Sequence, residues 1–283
     1  MSRRRSQGRK KAISEHQFKK RLLFLSIAIP FVLVVGIMVW QHRAGVSFLL
    51  RQWFDREEVV NQNLSRFDIR NVELMQRHAD KVFGIDVSHY QGEIDWDQVW
   101  TINDQVPVDF VFIRASMGEG GKDGRFEENW AHVKSRNKIR GAYHYFRPDE
   151  DPVKQATNFI QRVQLSAGDL PPVLDIEELP RHRSLDRLRS GLKQWLDQVE
   201  EHYGVKPVLY SGDHYFNDFL KNEFSNYPLW IANYNFWIEK PKKNWDFWQF
   251  SEQGTVGGIT GPVDLNLYSG TIIELEKLCL PFK

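Results

Sequence analysis

Four acidic residues lie at the ends of short apolar segments that are typical of β-strands. Asp86 lies in FGIDVS, Asp175 and Glu177 lie in VLDIE, and Asp264 lies in PVDLN. Side chains two positions apart on a strand point to the same side, roughly 6 to 7 Å apart along the chain, so Asp175 and Glu177 are expected to face one space. Unpaired acids inside apolar strands are costly to bury, which favours a chemical role for them.

Two carboxyl groups in one apolar-walled cavity cannot both ionise cheaply. The more desolvated group should have a raised pKa and donate a proton at neutral pH, while the other stays anionic. Such a pair can cleave an acetal, because the acid protonates the leaving oxygen and the anion opposes the positive charge that grows at the sugar carbon. The structural alternative is that one or two of the acids form a salt bridge, for example with Arg114.

Aromatic residues recur in the same segments. Aromatic faces with hydroxyl or indole donors suit sugar rings, although aromatic residues on strands also serve as plain core. The expected substrate-binding residues are Tyr143, Tyr145, Trp230, Tyr234, Trp248 and Gln249.

The sequence beyond residue 80 alternates short apolar segments with amphipathic helical stretches, a pattern that favours parallel strands joined by helices. The predicted strands are 82–90, 109–116, 141–146, 172–177, 207–212, 228–234, 246–251 and 263–269, and the predicted helices are about 95–104, 126–137, 152–165, 184–203 and 213–224. The last three strands are separated by loops too short for a full helix. The prediction is an α/β fold, an irregular TIM-like barrel with eight strands and about five helices; a doubly wound open sheet is the alternative.

The N-terminal part of the chain predicts a membrane anchor. Residues 1–21 carry nine Lys or Arg and one acid, and residues 22–40 contain no charge over a length that can span a bilayer. We expect a cytoplasmic basic tail (1–21), one transmembrane helix (22–40), a partly helical stalk (41–80) and an exported catalytic domain (81–283). A cleaved signal peptide is the alternative, but no small-x-small cleavage site follows promptly.

Composition excludes several other classes of protein. A single cysteine, Cys279, rules out an internal disulfide and every zinc site that needs two thiolates. Outside the basic tail the chain has a net charge of −7, which argues against nucleic acid as its main partner. No H-E-x-x-H motif is present, and no metal or other cofactor is expected.

Six ordered motifs resemble those of glycoside hydrolase family 25, the Chalaropsis-type lysozymes. They are FGIDVSHYQGEIDW, FVFIRAS, GAYHYF, PVLDIE, WQFS and VDLN, spread over about residues 82–270. The resemblance implies a barrel whose last strands lack helices and an N-acetylmuramidase that cleaves the β-1,4 bond between N-acetylmuramic acid and N-acetylglucosamine in peptidoglycan. It also implies that Glu177 is the general acid, Asp175 its neighbour in a D-x-E pair, and Asp86 and Asp264 the other two active-site acids.

The D-x-E spacing resembles that of hydrolases in which the 2-acetamido group of the substrate attacks the anomeric carbon, with the Asp orienting that group. A rival mechanism uses one Asp as nucleophile or as the base for water. Two other functions stay open from the residues alone: a non-catalytic glycan-binding protein, and a metal-dependent phosphodiesterase on a barrel. We expect a monomeric catalytic domain that remodels the peptidoglycan of its own cell, because a tether raises the local enzyme concentration near that wall.

Overall fold

The computed structural model of the 283-residue chain describes Ser26, Val35, Ile37 and residues 65–281. The predicted tail, most of the predicted transmembrane helix and most of the predicted stalk therefore lie outside the described residues. Within the described part, no helix has both the length and the apolar composition to cross a membrane. The chain divides into two units, 1–54 and 55–283, and the fold below belongs to the second unit.

The described elements form an α/β barrel. The strands are β1 Val82–Val87, β2 Thr101–Ile102, β3 Val106–Pro107, β4 Phe110–Met117, β5 Gly121–Lys122, β6 Ile139–Tyr145, β7 Val173–Asp175, β8 Val208–Gly212, β9 Leu229–Ala232, β10 Phe247–Gly254 and β11 Val263–Tyr268. The helices are α1 Arg66–Arg77, α2 Phe126–Ser135, α3 Pro152–Ile160, α4 Leu185–Tyr203, α5 Asp213–Tyr215, which continues through a π-helical turn Phe216–Leu220 into α6 Lys221–Phe224, and α7 Ile272–Leu278.

Eight of these strands close the barrel, and they match the eight predicted from the sequence. Pairing runs β1-β11-β10-β9-β8-β7-β6-β4 and returns to β1, while β5 is a short addition at the edge of β4. Seven strands are parallel to one another, whereas β11 is antiparallel to its two neighbours, β10 and β1. The last three strands are joined by segments without a helix, as predicted. The irregular barrel is therefore confirmed.

Two apolar layers hold the barrel together. Its interior is filled largely by aromatic rings, including Phe110, Phe112, Trp230 and Phe247. The rings of Phe112 and Trp230 stack with centroids 4.3 Å apart. Gly84 makes room for this packing, because a Cβ there would lie 2.4 Å from the carbonyl oxygen of Phe110 and 2.6 Å from its ring. Each fully buried ring contributes roughly 1.5–3 kcal/mol by leaving water.

The outer layer lies between the strands and the helices. In α4, Leu188, Leu192, Trp195 and Val199 recur at helical spacing and are buried against the barrel. The helix begins where the Ser184 side chain accepts a hydrogen bond from the backbone N–H of Arg187. Such local signals explain why the four helices predicted from 126 onward were found at nearly the predicted positions.

The helix predicted at 95–104 was wrong. Turns occupy most of this segment, and β2 pairs with β3 in a short antiparallel hairpin. Asn103 and Asp104 adopt left-handed backbone conformations, with φ of 49° and 55°, which end a helix. The side chain of Asp95 also accepts hydrogen bonds from the backbone of Asp97 and the side chain of Gln98, so short polar side chains compete with helical bonding.

The C-terminal end of the predicted stalk belongs to the folded body. Helix α1 begins with a capping box formed by Ser65 and Asp68 and packs against β10. The buried guanidinium of Arg70 donates to the carbonyl oxygen of Phe250 at 2.9 Å, and Asn71 donates to that of Gln253 at 3.0 Å. The polar spacing of this segment resembles a solvated helix, but two of its polar residues satisfy carbonyl groups of the barrel.

We predict that Arg70→Ala lowers the free energy of unfolding by about 2 kcal/mol, because a charge-assisted hydrogen bond is lost and buried carbonyl groups are left unpaired. Denaturant unfolding of the full chain, followed by tryptophan fluorescence, measures the change. Arg66→Ala removes an exposed arginine from the same helix and should cost less than about 0.5 kcal/mol. Equal effects of the two substitutions would contradict the docking of α1 on the barrel.

Candidate active site

A cleft of about 490 Å³ opens at the end of the barrel where the seven parallel strands finish. Parallel barrels place polar residues at this end because the strands stop there and the following loops can diverge. The four acids predicted from the sequence all line the cleft, together with Tyr143, Tyr145, Trp230, Tyr234 and Gln249. The fold therefore brings together the acids and five of the six predicted substrate-binding residues.

The antiparallel pairing of β1 and β11 places Asp86 and Asp264 opposite each other. Asp175 is the last residue of β7, and its neighbour in register is Tyr145 on β6. Glu177 follows two residues later in the loop, so the strand is shorter than the predicted 172–177. Asp175 is buried and Glu177 is exposed, so the pair runs from the floor of the cleft towards solvent.

Asp86 is held by two amide donors. Gln249 Nε2 and Asn266 Nδ2 each donate to Asp86 Oδ2 at 2.7 Å. Asn266 Oδ1 in turn accepts a hydrogen bond from the indole of Trp230 at 2.7 Å. Because all four residues are buried, each donor is fixed in one orientation.

Two tyrosines hold the side-chain oxygen of Gln249 by hydrogen bonds. Its Oε1 accepts hydrogen bonds from the hydroxyl of Tyr210 at 2.7 Å and that of Tyr234 at 2.5 Å. The amide of Gln249 therefore points its N–H towards Asp86. Although Gln249 lines the cleft as predicted, these contacts make it a support for Asp86.

Burial raises the pKa of Asp86 to about 6, even though the hydrogen bonds from Asn266 and Gln249 work in the opposite direction. Burial also raises the pKa of Asp264 to about 9, and repulsion from Asp86 adds to the effect. The two carboxyl groups lie within hydrogen-bonding reach of each other, which favours one proton shared between them.

Burial raises the pKa of Asp175 well above its ordinary value, and the charges of Glu177 and Asp86 raise it further. Although part of the Glu177 side chain is exposed, desolvation of its carboxyl group by the surrounding cleft also raises its pKa, and its hydrogen bond with Asp175 opposes this. The sequence predicts a raised pKa for one member of the pair only. Instead the apolar interior below the cleft acts on both, and most strongly on the deeper Asp175.

Hydroxyl groups fix the segment that carries Glu177. Ser211 Oγ donates to the carbonyl oxygen of Ile176 at 2.7 Å, and the hydroxyl of Tyr215 donates to that of Glu178 at 2.8 Å. The hydroxyl of Tyr145 donates to the Glu178 carboxylate at 2.8 Å. The backbone on both sides of Glu177 is thus held by neighbouring elements, which limits the positions that its side chain can reach.

The prediction that Trp248 lines the cleft was wrong. Its ring is fully buried in the outer layer, where it contacts Trp245 and Phe250, and its indole donates to the carbonyl oxygen of Asn233 at 2.9 Å. Adjacent residues of a strand point to opposite faces, so Trp248 and Gln249 cannot both face the cleft.

Arg114 does not form a salt bridge with any of the four predicted acids, as the structural alternative would require. Its Nε donates to Asp123 Oδ2 at 3.0 Å, and its guanidinium also contacts His89. Asp123 accepts further bonds from the backbone N–H of His89 and of Arg125, at 2.9 and 3.0 Å. Arg114 still lines the cleft, and its charge lowers the pKa of Asp175 against the larger effect of burial.

Several residues that line or support the cleft were not predicted from the sequence. Tyr210 lines the cleft, and Asn266 is buried beneath it, where it holds Asp86. Period-two spacing could have indicated Asn266, because it lies two positions after Asp264 on the same strand.

Tyr90 lies in a single 3-10 helical turn, His89–Gln91, after β1, and Arg147 lies in the loop after β6. Neither segment has a periodic pattern that indicates which way a side chain points. Tyr90 is 78% exposed and presents an aromatic ring at the cleft.

The sequence model described as Glycosyl hydrolases family 25 matches residues 85–259. This range runs from within β1 to just beyond β10 and includes Asp86, Asp175 and Glu177. The chain belongs to glycosyl hydrolase family 25. The family 25 chain is therefore a glycoside hydrolase, as its paired acids suggest.

Individual relatives agree with this assignment. The chain is 31% identical over 214 residues to Lysozyme M1 of Streptomyces globisporus, covering 70% of this chain and 71% of the relative. It is 42% identical over 265 residues to the uncharacterized protein YegX of Escherichia coli O157:H7, covering 91% and 94%. A bacterial lysozyme crystal structure from Streptomyces coelicolor has a TM-score of 0.63 and 30% identity, with 70% of this chain and 96% of that one covered.

We predict that Asp264→Asn stabilises the family 25 chain at pH 8 but not near pH 4. A carboxyl whose folded pKa is raised favours the folded state below its unfolded pKa, near 3.8, and loses that contribution as the pH rises to about 9. Asparagine does not ionise, so the free energy of unfolding of the variant does not fall with pH for this reason. Allowing for the partial exposure of Asp264, we expect a gain of about 1–3 kcal/mol at pH 8.

Denaturant unfolding across this pH range measures the difference between the variant and the original chain. Asp218→Asn serves as the control, because Asp218 is an exposed acid outside the cleft. A stability difference for Asp264→Asn that does not change with pH would refute the assigned pKa.

Proposed function

We propose that the chain is an N-acetylmuramidase that cleaves the β-1,4 bond between N-acetylmuramic acid and N-acetylglucosamine in peptidoglycan. The observation that carries the proposal is the D-x-E pair Asp175 and Glu177, both with raised pKa, in an open cleft of a family 25 barrel. Likeness to Lysozyme M1 and to the lysozyme from Streptomyces coelicolor supports a cell-wall polysaccharide as the substrate.

Glu177 serves as the general acid. It lies at the solvent side of the acidic pair, where a glycosidic oxygen can approach, and its raised pKa favours the protonated form that a general acid needs. It donates its proton to the leaving O4 of N-acetylglucosamine as the C1–O4 bond breaks. It then accepts a proton from the water that attacks C1.

Asp175 assists the 2-acetamido group of the muramic acid. In the free enzyme the two neighbouring carboxyls share a proton, because burial disfavours the ionisation of both. A bound acetamido N–H that donates to Asp175 stabilises its anionic form and moves the shared proton to Glu177. The acetamido oxygen then attacks C1, and water later opens the cyclic intermediate and restores the acetamide.

Asp86 and Asp264 face each other on β1 and β11 and line the same cleft, where the proton that they share leaves one negative charge between them. As C1 becomes positively charged in the transition state, nearby carboxylates stabilise it. The hydrogen bonds from Gln249 and Asn266 hold Asp86 in place for this task.

We predict that Glu177→Gln abolishes release of reducing ends from purified peptidoglycan at every pH, because glutamine cannot donate the proton. Asp175→Asn should reduce kcat by about 10³-fold, because it removes the charge that orients the acetamido group. The assay uses the full chain in detergent and identifies the new reducing-end sugar, which should be muramic acid.

Glu128→Gln, an exposed substitution on α2, is the control and should retain full activity. Turnover at the original rate by Glu177→Gln would refute the assigned role of general acid. N-acetylglucosamine at the reducing end would indicate a glucosaminidase. Wall binding without any new reducing ends would favour a glycan-binding protein, and loss of activity with a chelator would favour a metal-dependent phosphodiesterase.

We also propose that residues 22–40 anchor the enzyme in the cell membrane, with residues 1–21 in the cytoplasm and the barrel on the exported side, where it remodels the peptidoglycan of its own cell. The charge asymmetry and the uncharged stretch of the sequence support this arrangement. The alignment with YegX covers 91% of the chain and so extends into the segment that precedes the barrel.

We predict that the full chain sediments with membranes and stays there after an alkaline carbonate wash, because the uncharged stretch lies in the hydrocarbon core. External protease should digest the barrel in intact spheroplasts but leave an N-terminal tag intact. Replacing Val34 and Ile37 by aspartate should release the protein, whereas replacing them by leucine should not. Recovery of the intact full chain from the culture medium alone would contradict the anchor.

A further inference from the structure

Among the described residues that line the cleft, acidic residues outnumber basic ones. Six are acids: Asp86, Asp175, Glu177, Glu178, Glu252 and Asp264. Two are basic, Arg114 and Arg147. Clustered acids suit a transition state that becomes positive, but they repel an anionic substrate. The two arginines therefore decide whether the cleft can accept a substrate that carries carboxylates.

Arg114 already interacts with other side chains of the protein. It is 7% exposed, its Nε bonds to the buried Asp123, and its guanidinium lies 4.9 Å from the ring centroid of Tyr90. Removing it from these partners would leave the Asp123 carboxylate without a buried cation. Arg114 consequently shapes the cleft wall and is a poor candidate for holding a ligand.

Arg147 is far less engaged by the described residues. Its side chain is 48% exposed, and its nearest carboxylate is that of Glu150, with Nε and Oε1 3.8 Å apart. The other oxygen of Glu150 accepts a hydrogen bond from the backbone N–H of Glu119 at 2.6 Å. Arg147 Nη2 also lies 3.6 Å from the sulfur of Met117, a weak acceptor. A guanidinium offers five N–H donors, so most of this capacity is available to a ligand.

The backbone that carries Arg147 is rigid. The buried side chain of Gln155 accepts a hydrogen bond from the Arg147 N–H and donates one to its carbonyl oxygen, both at 2.9 Å. Gly118, with φ of +55°, leaves space for the arginine, because a Cβ there would lie 2.9 Å from Arg147 Cδ and 2.3 Å from Glu150 Oε2. The hydrogen bonds of Gln155 therefore fix the backbone of Arg147, and the missing side chain of Gly118 leaves the space that the Arg147 side chain occupies.

Arg147 also lies next to the acidic pair along the sheet. The N–H of Phe146, the preceding residue, donates to the carbonyl oxygen of Asp175 at 2.8 Å. In muramic acid, the lactyl arm on C3 is adjacent to the acetamido group on C2. If Asp175 holds the acetamido group, the lactyl arm therefore extends from a neighbouring carbon towards the same part of the cleft wall.

We propose that Arg147 is a specificity-determining residue that pairs with a carboxylate on the lactyl arm of the bound muramic acid. The carboxylate is either that of the lactyl group itself or one carried by the peptide attached to it. This inference rests on the proposed muramidase function. An arginine and a carboxylate form a charge-assisted, often bidentate pair, which binds a planar anion with defined orientation.

Three substrates test the proposal with the full chain: glycan strands that retain their peptides, strands stripped of peptides by an amidase, and stripped strands whose lactyl carboxylates have been coupled to methylamine. Arg147→Ala should lower kcat/KM about tenfold on a carboxylate-bearing substrate and leave the neutral substrate unchanged. Arg147→Lys should retain part of the preference, since it keeps the charge but loses the planar fork. Gly118→Ala should reproduce the selective loss by displacing Arg147.

Arg125→Ala is the matched control, because Arg125 is a partly exposed arginine with an i,i+3 partner, Glu128, outside the cleft. Selective loss on stripped strands identifies the lactyl carboxylate, and selective loss only on peptide-bearing strands identifies the peptide; either result supports the proposal. Equal loss on all three substrates, or no loss, overturns it. Failure of the original chain to cleave any of the three would instead refute the proposed function.

Discussion

One buried carboxylate organises the catalytic end of the barrel. Asp86 on β1 accepts hydrogen bonds from Gln249 on β10 and Asn266 on β11, and these amides are held in turn by Tyr210, Tyr234 and Trp230. The network joins β1, β8, β10 and β11 with β9 and the loop after it. A buried carboxylate without such donors would be strongly unfavourable, so the requirement to satisfy Asp86 dictates which side chains the surrounding strands present.

The aromatic interior of the barrel controls the acidity of the cleft. Phe112, Trp230 and Phe247 fill the space below the acids and exclude water, so ionisation of the deeper carboxyls is disfavoured. At the opposite end of the barrel, Leu275 and Cys279 join the same apolar cluster. One end of the barrel is therefore closed by apolar packing, which compensates for a group of mutually repelling acids at the other end. Enzymes often combine a stable scaffold with an active site whose residues lower the stability of the folded state.

The sequence predicted the features that depend on local pattern. Eight apolar segments became the eight barrel strands, and Asp86, Asp175, Glu177 and Asp264 were found together in one cleft. The errors have physical causes. No helix forms at 95–104 because side-chain bonds of Asp95 stabilise turns and the chain then enters the β2–β3 hairpin. Trp248 does not line the cleft because adjacent strand residues point to opposite faces, and Gln249 faces the cleft. Arg70 and Arg147 could not be interpreted from sequence, because the carbonyl groups that Arg70 contacts and the cleft that Arg147 lines are formed by residues distant along the chain.

The proposed reaction places two opposite requirements on the charges of the cleft. Under the proposed function, the acids of the cleft stabilise a positive transition state, yet the substrate brings carboxylates of its own into the same space. Placing a cation among the acids would neutralise them and lower the pKa values that the chemistry needs. Arg147 lies beyond the end of β6 and is nearly half exposed, so its charge is kept away from the buried acids. The more buried Arg114 forms an ion pair with Asp123. Separating the buried acids from an accessible guanidinium in a following loop places a cation at the cleft without placing it among the groups whose raised pKa values the proposed chemistry uses.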